Sequence, residues 1–324
     1  MRTCCRRPHL ISSVRTEWPA QPSTLGRLTS EPIGFFMDLL FRFFARWPLP
    51  LLHALGGLLG WLVWACSPSY RRNFGEQVAQ AGLRFSQVRP AIAEAGRMAC
   101  ELPYLWLRPH HESCLPQVEL QGREAVDALR AQGRGLIFFS VHLGSFELAP
   151  QALAELYGPF TALYRPSRQP WLARLMQGSR QRPGLAMAPA TMAGIRQMLK
   201  ALRGGGSVGM LTDQVPPEGL GLWAPFFGRP AYTMTLAAKL ALQSGAALVP
   251  FTVERLAGGR GYRMRFLPHL AELDAQPAPD LQRAVHLINQ ANEALILSLP
   301  GQYLWAYARY KQPRRSGDEP KGAA

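Results

Sequence analysis

The chain has 324 residues, 48% of them hydrophobic, which is enough to bury a substantial core and excludes a disordered tail; its size suits one large domain, or one domain with an appended segment. Thirty-six Lys and Arg against 21 Asp and Glu leave a net charge of +15, mostly from Arg, which suits a surface facing phosphate groups, anionic lipid, nucleic acid or an acidic protein carrier without choosing among them. Five cysteines (Cys4, Cys5, Cys66, Cys100 and Cys114), odd in number and without paired metal-ligand spacing, argue against a disulfide framework or a zinc site and for a reducing compartment.

Residues 1–36 mix Arg, Ser, Thr and Pro without an apolar period and lack the short apolar core of a signal peptide. The expectation is that translation starts at Met37 and that residues 1–36 are a disordered or spurious extension. Residues 37–69 read as an apolar membrane anchor. Within them Leu49 to Cys66 carries no formal charge, has Trp47, Trp61 and Trp64 near its ends, and as a helix would be about 27 Å long against a hydrocarbon core of roughly 30 Å. Arg71 and Arg72 follow it and favour a cytoplasmic main body, but Arg42 and Arg46 precede it. Pro48, Pro50, His53 and Gly56-Gly57 also permit a re-entrant or interfacial helix. Gly56 and Gly60 fit G-x-x-x-G, which reads as small residues in a packed helix rather than a dimer seam.

Residues 70–117 form a helical, polar-amphipathic connector without a chemical motif. From 118 to 312 the chain alternates strand-like and helix-like segments, the α/β pattern. Apolar runs at Phe160 to Tyr164, Val208 to Leu211 and Ala246 to Val253 read as strands, as does Tyr262 to Phe266, where apolar residues alternate with Arg263 and Arg265. Thr191 to Arg203 reads as a helix, with Ile195, Met198, Leu199 and Leu202 on one face and Gly204 to Gly206 stopping it. Residues 313–324 form a polar tail.

His142 and Glu147 carry the most chemical information. Gly135 to Val141 reads as a buried strand and Ser145 to Tyr157 as a helix. On one continuous helix, a separation of five residues would turn the two side chains roughly 140° apart, so the pair meets only if His142 lies outside the helix. A strand-end His142, a turn at Gly144, Ser145 as N-cap and Glu147 in the first turn would let the carboxylate fix the imidazole and stabilise its protonated form. The same spacing has a structural reading, in which Glu147 complements the helix N-terminus and His142 is a hydrogen-bonded, half-buried residue.

Three further clusters lie at the ends of strands, where open α/β sheets build their sites: Tyr164-Arg165-Pro166, Thr212-Asp213-Gln214, and Pro225 to Thr233, read as a loop entering a helix. Gly205 to Gly209 matches the G-x-S-x-G of serine esterases. There, however, a helix precedes and a strand follows, opposite to the strand-turn-helix elbow that a Ser207 nucleophile would need. A basic membrane or nucleic-acid-binding protein is favoured by charge alone, leaves His142, Glu147, Arg165 and Asp213 unexplained, and lacks an RRM, KH or helix-turn-helix signature.

From Met37 to about Arg315 the chain resembles the late acyltransferases of lipid A biosynthesis, of lauroyl/myristoyl type, within the lysophospholipid and glycerol-phosphate acyltransferase superfamily. The motifs that carry the resemblance are Arg71-Arg72-Asn73, His142 to Glu147, Tyr164-Arg165-Pro166, Gly209 to Gln214, Phe226-Phe227-Gly228 with Ala231 and Thr233, Val249-Pro250, and Tyr303 to Lys311. Ser145-Phe146 departs from the family's common Asn-Trp, and Tyr307-Ala308 from a frequently basic stretch.

The resemblance implies a glycerol-phosphate-acyltransferase-like fold: a central mixed sheet flanked by helices, with an N-terminal membrane-associated helix. It implies acyl transfer from acyl carrier protein thioester to a hydroxyl of a Kdo-bearing lipid A precursor, on the cytoplasmic face of the inner membrane. An activated thioester demands no cofactor or metal. His142 would take the hydroxyl proton with Glu147 orienting it, Arg165 would hold a phosphate or developing charge, Tyr164 would belong to the substrate site, Asp213 would either belong to it or position Arg165, and Phe226, Phe227 and Gly228 would shape the acyl or glycolipid cleft. Acylation of another membrane acceptor, a lysophospholipid, aminolipid or glycolipid, is the nearest alternative.

Overall fold

The computed structural model describes residues 31–314 except 166, 168, 180, 181 and 276. Pro166, residues 1–30 of the expected extension and residues 315–324 of the polar tail lie outside the described residues. Helix α1 (Glu31–Phe44) runs through Met37. It is followed by α2 (Leu49–Cys66), α3 (Pro68–Gln80), α4 (Phe85–Val88) and α5 (Pro90–Leu107).

The domain then alternates β1 (Val118–Gln121), α6 (Arg123–Ala131), β2 (Leu136–Ser140), α7 (Ala149–Tyr157), β3 (Phe160–Tyr164), α8 (Pro170–Ser179), β4 (Leu185–Pro189), α9 (Met192–Arg203) and β5 (Ser207–Leu211). A hairpin, β6 (Gly221–Phe226) and β7 (Arg229–Met234), precedes α10 (Leu236–Ser244), β8 (Ala247–Arg255), β9 (Tyr262–Phe266) and α11 (Leu281–Ser298). Seven strands form one sheet in the order β1-β9-β8-β2-β5-β3-β4. The β8–β9 pair is antiparallel and every other neighbouring pair is parallel, so the sheet is mixed and the α/β expectation holds.

Strand β2 shows why its run is continuously apolar. Leu136 and Phe138 join one core with Tyr157, Phe160 and Phe251, whereas Ile137 and Phe139 join the other with Met198, Val208 and Ile288. Successive side chains of a strand point to opposite faces, and helices cover both faces here, so a polar residue is tolerated only when paired, as Ser140 is by donating to the Phe251 carbonyl at 2.7 Å. Helix α9 begins where the Thr191 hydroxyl caps the Gly194 amide, and it buries Met198 and Leu202.

Two expectations are corrected. The helix after His142 begins at Ala149, not Ser145; Pro150 suits the first helical turn, where its missing N–H costs nothing, and residues 146–148 form a turn ahead of it. Pro225 to Thr233 is not a loop but most of the β6–β7 hairpin, whose turn residues Phe227 and Gly228 adopt φ of 45° and 74°. Paired positive φ values match the twist of two-residue hairpin turns.

Helix α2 is long and apolar enough to cross a membrane, yet one of its sides is buried against α5. Gly56, Gly57 and Gly60 lie on that side with Leu52 and His53. A Cβ on Gly56 would stand 2.6 Å from the Arg97 Cα and 2.7 Å from the Gly96 carbonyl oxygen, and one on Gly96 would stand 2.6 Å from the Gly60 nitrogen. The G-x-x-x-G pair is therefore an intramolecular helix seam. The opposite side exposes Leu51, Leu58, Leu62 and Val63, and α1 exposes Phe35, Phe36, Leu39 and Phe43. Gly60→Leu is expected to prise α2 from α5 and lower unfolding free energy by about 1–3 kcal/mol, as overpacking does. Denaturant titration in detergent checks this, and an unchanged midpoint would refute the close seam.

Candidate active site

Parallel pairing of β2 with β5 puts Ser140 opposite Leu211. Two residues beyond each strand end come His142 and Asp213, so the strand register itself sets them side by side. Asp213 holds the imidazole twice over: its Oδ1 lies 2.7 Å from His142 Nδ1, and its Oδ2 accepts the His142 backbone N–H at 3.0 Å. With Nδ1 donating to the carboxylate, Nε2 is left as the acceptor, and the Gln214 amide nitrogen stands 3.1 Å from it. Phe146 packs its ring against the imidazole, with 4.9 Å between centroids.

The two charges reinforce one another. Burial pushes the His142 imidazole toward its neutral form, but the Asp213 charge and hydrogen bond, with the Glu147 charge behind them, outweigh it and raise the pKa above the usual histidine value. Burial pushes the Asp213 carboxyl up, and His142 and then Arg309 pull it below its ordinary range. Arg309 is itself buried; it donates to the Tyr232 carbonyl at 2.8 Å and the Thr233 hydroxyl at 2.7 Å, and its guanidinium sits 4.9 Å from the Phe226 ring centroid. It supplies a fixed positive charge behind Asp213.

A cavity of about 280 Å³ opens on this pair, lined by His142, Asp213, Gln214 and Tyr307 and by the apolar sides of Tyr70, Ala95, Met98, Leu304 and Ala306. A proton-accepting nitrogen facing a largely apolar cleft is the arrangement for deprotonating a hydroxyl group carried on a hydrophobic substrate.

The turn that carries His142 requires glycine. Gly144 has φ of 60°, and a Cβ there would meet the Val253 backbone and come within 3.3 Å of Gln302 Oε1. Backbone bonds from Gly144 to the Gln302 carbonyl (3.0 Å), from Ser145 to the Val253 carbonyl (2.8 Å) and from Leu304 to the His142 carbonyl (3.0 Å) tie the turn to β8 and to the C-terminal stretch.

The structure redistributes the contacts expected of these residues. Asp213, expected in the substrate site, is the carboxylate on the imidazole, a pairing that the turn spacing had assigned to Glu147. Glu147 is half-buried in the turn before α7, where its Oε2 accepts from the Trp106 indole at 3.1 Å, and it reaches His142 through its charge. Ser145 is no helix cap; its hydroxyl donates to Glu101 at 2.7 Å. Tyr164 ends β3, the strand beside β5, and Arg165 follows it, exposed.

Phe226, Phe227 and Gly228 do not line the cavity of His142. They lock the hairpin turn to α11 and α3, the Phe227 amide donating to Glu293 at 2.8 Å and the Phe227 carbonyl accepting from Gln80 at 2.8 Å. Ser207 is buried at the start of β5, the end of the strand away from Asp213, which gives the esterase motif no access to the site. Arg309, Tyr70, Met98 and Gln214 gained no individual role from the sequence. For Arg309 and Gln214 the available signal was their place inside the Tyr303 to Lys311 and Thr212 to Gln214 motifs.

The description "bacterial lipid A biosynthesis acyltransferase" matches residues 48–312. The chain belongs to the bacterial lipid A biosynthesis acyltransferase family. Among its relatives, the lipid A biosynthesis lauroyltransferase and the lipid A biosynthesis palmitoleoyltransferase of Escherichia coli K12 are each 29% identical over 194 residues, 60% of this chain and 61% of theirs. The phosphatidylinositol mannoside acyltransferase of Mycolicibacterium smegmatis is 31% identical over 146 residues, 43% of this chain and 45% of its own. The chain thus spans about 61% of the length of the lipid A relatives it matches.

For this family member, NMR titration of the His142 imidazole is expected to give a midpoint above about 6.5, the ordinary histidine value. Asp213→Asn should move it down, because the favourable charge disappears while burial remains. An unmoved midpoint would refute Asp213 as the dominant partner.

Proposed function

We propose that this protein transfers a fatty acyl group from a thioester, carried on acyl carrier protein, to a hydroxyl of a lipid A precursor, as a late secondary acylation. The observation that carries the reading is His142 Nε2, held in acceptor form by the Asp213 bond to Nδ1 and facing an apolar cleft. Membership of the lipid A acyltransferase family supports the acceptor class.

In this mechanism the acceptor hydroxyl takes the position of the Gln214 amide and gives its proton to His142 Nε2. Its oxygen attacks the thioester carbonyl, and a C–O bond forms as the carbonyl electrons move onto oxygen. Collapse of that tetrahedral species breaks the C–S bond, and the thiolate leaves with the proton held on Nε2, which yields ester and free thiol and restores the neutral imidazole. No acyl-enzyme is formed. Asp213 keeps the tautomer and stabilises the imidazolium, and the Glu147 charge adds to that stabilisation. The activated thioester supplies the driving force, so the scheme uses no cofactor.

A cationic rim suits the anionic partners. Lys311 lies 4.4 Å from the Tyr307 ring centroid, and burial and then the charges of Arg314 and Arg165 push its pKa down. Like charges gathered beside a cavity suit the phosphate groups of donor or acceptor, and Arg165 offers a bidentate fork for one of them. The +15 chain favours approach to acidic carrier protein and anionic lipid.

The exposed apolar sides of α1 and α2 suit a protein lying in the membrane interface, with α2 inserted on one side and packed on α5 by the other. We place this on the cytoplasmic face of the inner membrane, where acyl carrier protein is available. Leu58→Glu with Leu62→Glu is expected to release the protein from sedimented membranes while preserving its fold; retention in the pellet at high salt would refute this insertion.

Mass spectrometry of total lipid A and phospholipid from a strain lacking the gene, complemented with wild type or His142→Ala, tests the reaction. Loss of one secondary acyl chain, restored by wild type alone, is the expected result. Unchanged lipid A with altered phospholipid or glycolipid would refute the acceptor, the outcome in keeping with the similarity to a phosphatidylinositol mannoside acyltransferase. Asp213→Asn is expected to lower the transfer rate by about 10²–10⁴-fold, the scale of positioned acid–base catalysis; full rescue by His142→Ala would refute the mechanism.

A further inference from the structure

Behind the site, and away from its cavity, lies a buried charge cluster that the mechanism does not use. Arg255, the last residue of β8, donates from Nε and Nη2 to both oxygens of Glu101 at 2.9 and 2.7 Å and from Nη1 to Glu94 at 2.8 Å. The Arg255 and Glu101 side chains are 2% and 0% exposed. Burial alone would push the Glu101 carboxyl up, but the Arg255 charge, with hydrogen bonds from His53, Arg255 and Ser145, carries it down to about 2.

Each member of the pair also holds one of two consecutive residues of the turn that carries the base. Arg255 Nη2 donates to the Gly144 carbonyl at 2.8 Å, and Glu101 Oε1 accepts from the Ser145 hydroxyl at 2.7 Å. The other Glu101 oxygen lies 3.0 Å from His53 Nε2, on the buried side of α2, and accepts from the Tyr262 hydroxyl at 3.3 Å.

Burying a full ion pair is a poor way to gain stability, since apolar residues of the same volume serve as well or better. What apolar residues cannot do is aim two directional bonds at adjacent residues of a turn. Proton transfer depends steeply on distance, and a displacement of about 1 Å at a catalytic group can cost on the order of 10²-fold in rate.

We propose that Glu101 and Arg255 are positioning residues that clamp the Gly144-Ser145 turn so that His142 meets Asp213, and that His53 extends this clamp to the apolar helix α2, mechanically joining the membrane-facing helix to the base. The clamp rests on the reading of His142 as the base.

The test uses purified full-length enzyme, a long-chain acyl-carrier-protein thioester with lipid A precursor in detergent, and NMR titration of His142 as an activity-independent readout. Ser145→Ala removes one clamp bond without breaking the ion pair. It should lower kcat about tenfold, keep KM within twofold, leave the melting temperature near that of wild type, and shift the His142 midpoint downward as the Asp213 bond loosens. Arg255→Lys, which keeps the charge but loses the fork, should lower kcat more than Ser145→Ala and shift the same midpoint. His53→Leu should lower kcat several-fold, and His53→Gln, which keeps a donor toward Glu101, should restore most of that loss.

Wild-type kcat and an unshifted His142 midpoint in both Ser145→Ala and Arg255→Lys would overturn the clamp. An inactive wild-type enzyme in which the variants still shift the His142 midpoint would refute the acyl-transfer reading and leave the clamp standing.

Discussion

The in-register parallel pairing of β2 and β5 is the constraint on which the site depends. Ser140 and Leu211 face each other as the last residues of their strands, and the chain leaves both in the same direction. Residues at equal distance beyond two paired parallel ends must emerge as neighbours. His142 and Asp213 are those residues: the register brings them close, and the turn after His142 fixes their contact. The rest of the α/β domain keeps this edge rigid: helices on both faces of the sheet pin the strands by packing the alternating side chains of β2 into two separate cores.

Charge arrangement then decides what the neighbours can do. Two buried guanidinium groups stand behind the site in different settings. Arg255 is matched by carboxylates and makes its bonds to structure, whereas Arg309 bonds a carbonyl and a hydroxyl and leaves its charge to act on Asp213. A carboxylate kept ionised in the interior can favour an imidazolium, which is what a general base becomes at the moment of proton transfer. The apolar lining of the adjoining cleft strengthens these interactions by keeping the local dielectric low.

The N-terminal helices complete the molecule at its apolar side. Glycines let α2 and α5 approach until their backbones touch, and the same close approach carries His53 within hydrogen-bond distance of Glu101. A bulkier seam would separate them. The face that packs by glycine and the face that exposes leucine therefore belong to one design: the helix is attached to the α/β domain on one side and presents apolar side chains to its surroundings on the other.

Local order was legible in the sequence wherever one segment's own pattern decided it. The α2 run, strands β3 and β9, helix α9, the strand-then-turn around His142 and the need for Gly144 all follow from periodicity and backbone conformation. The helix after His142 starts later than its pattern suggests because Ser145 and Glu147 fit a capping pattern, while Pro150 and a distant carboxylate decide otherwise. Which acid meets the imidazole is a question of register between strands whose paired residues His142 and Asp213 lie 71 positions apart, and the Glu101 to Arg255 pair spans 154. The sequence by itself determined the elements, the place of His142 at a strand end and the motif order; the tertiary structure alone decided the partners. Periodicity records which face a residue turns toward the core, but a hydrogen bond between distant segments exists only once the sheet order has closed and brought their ends together.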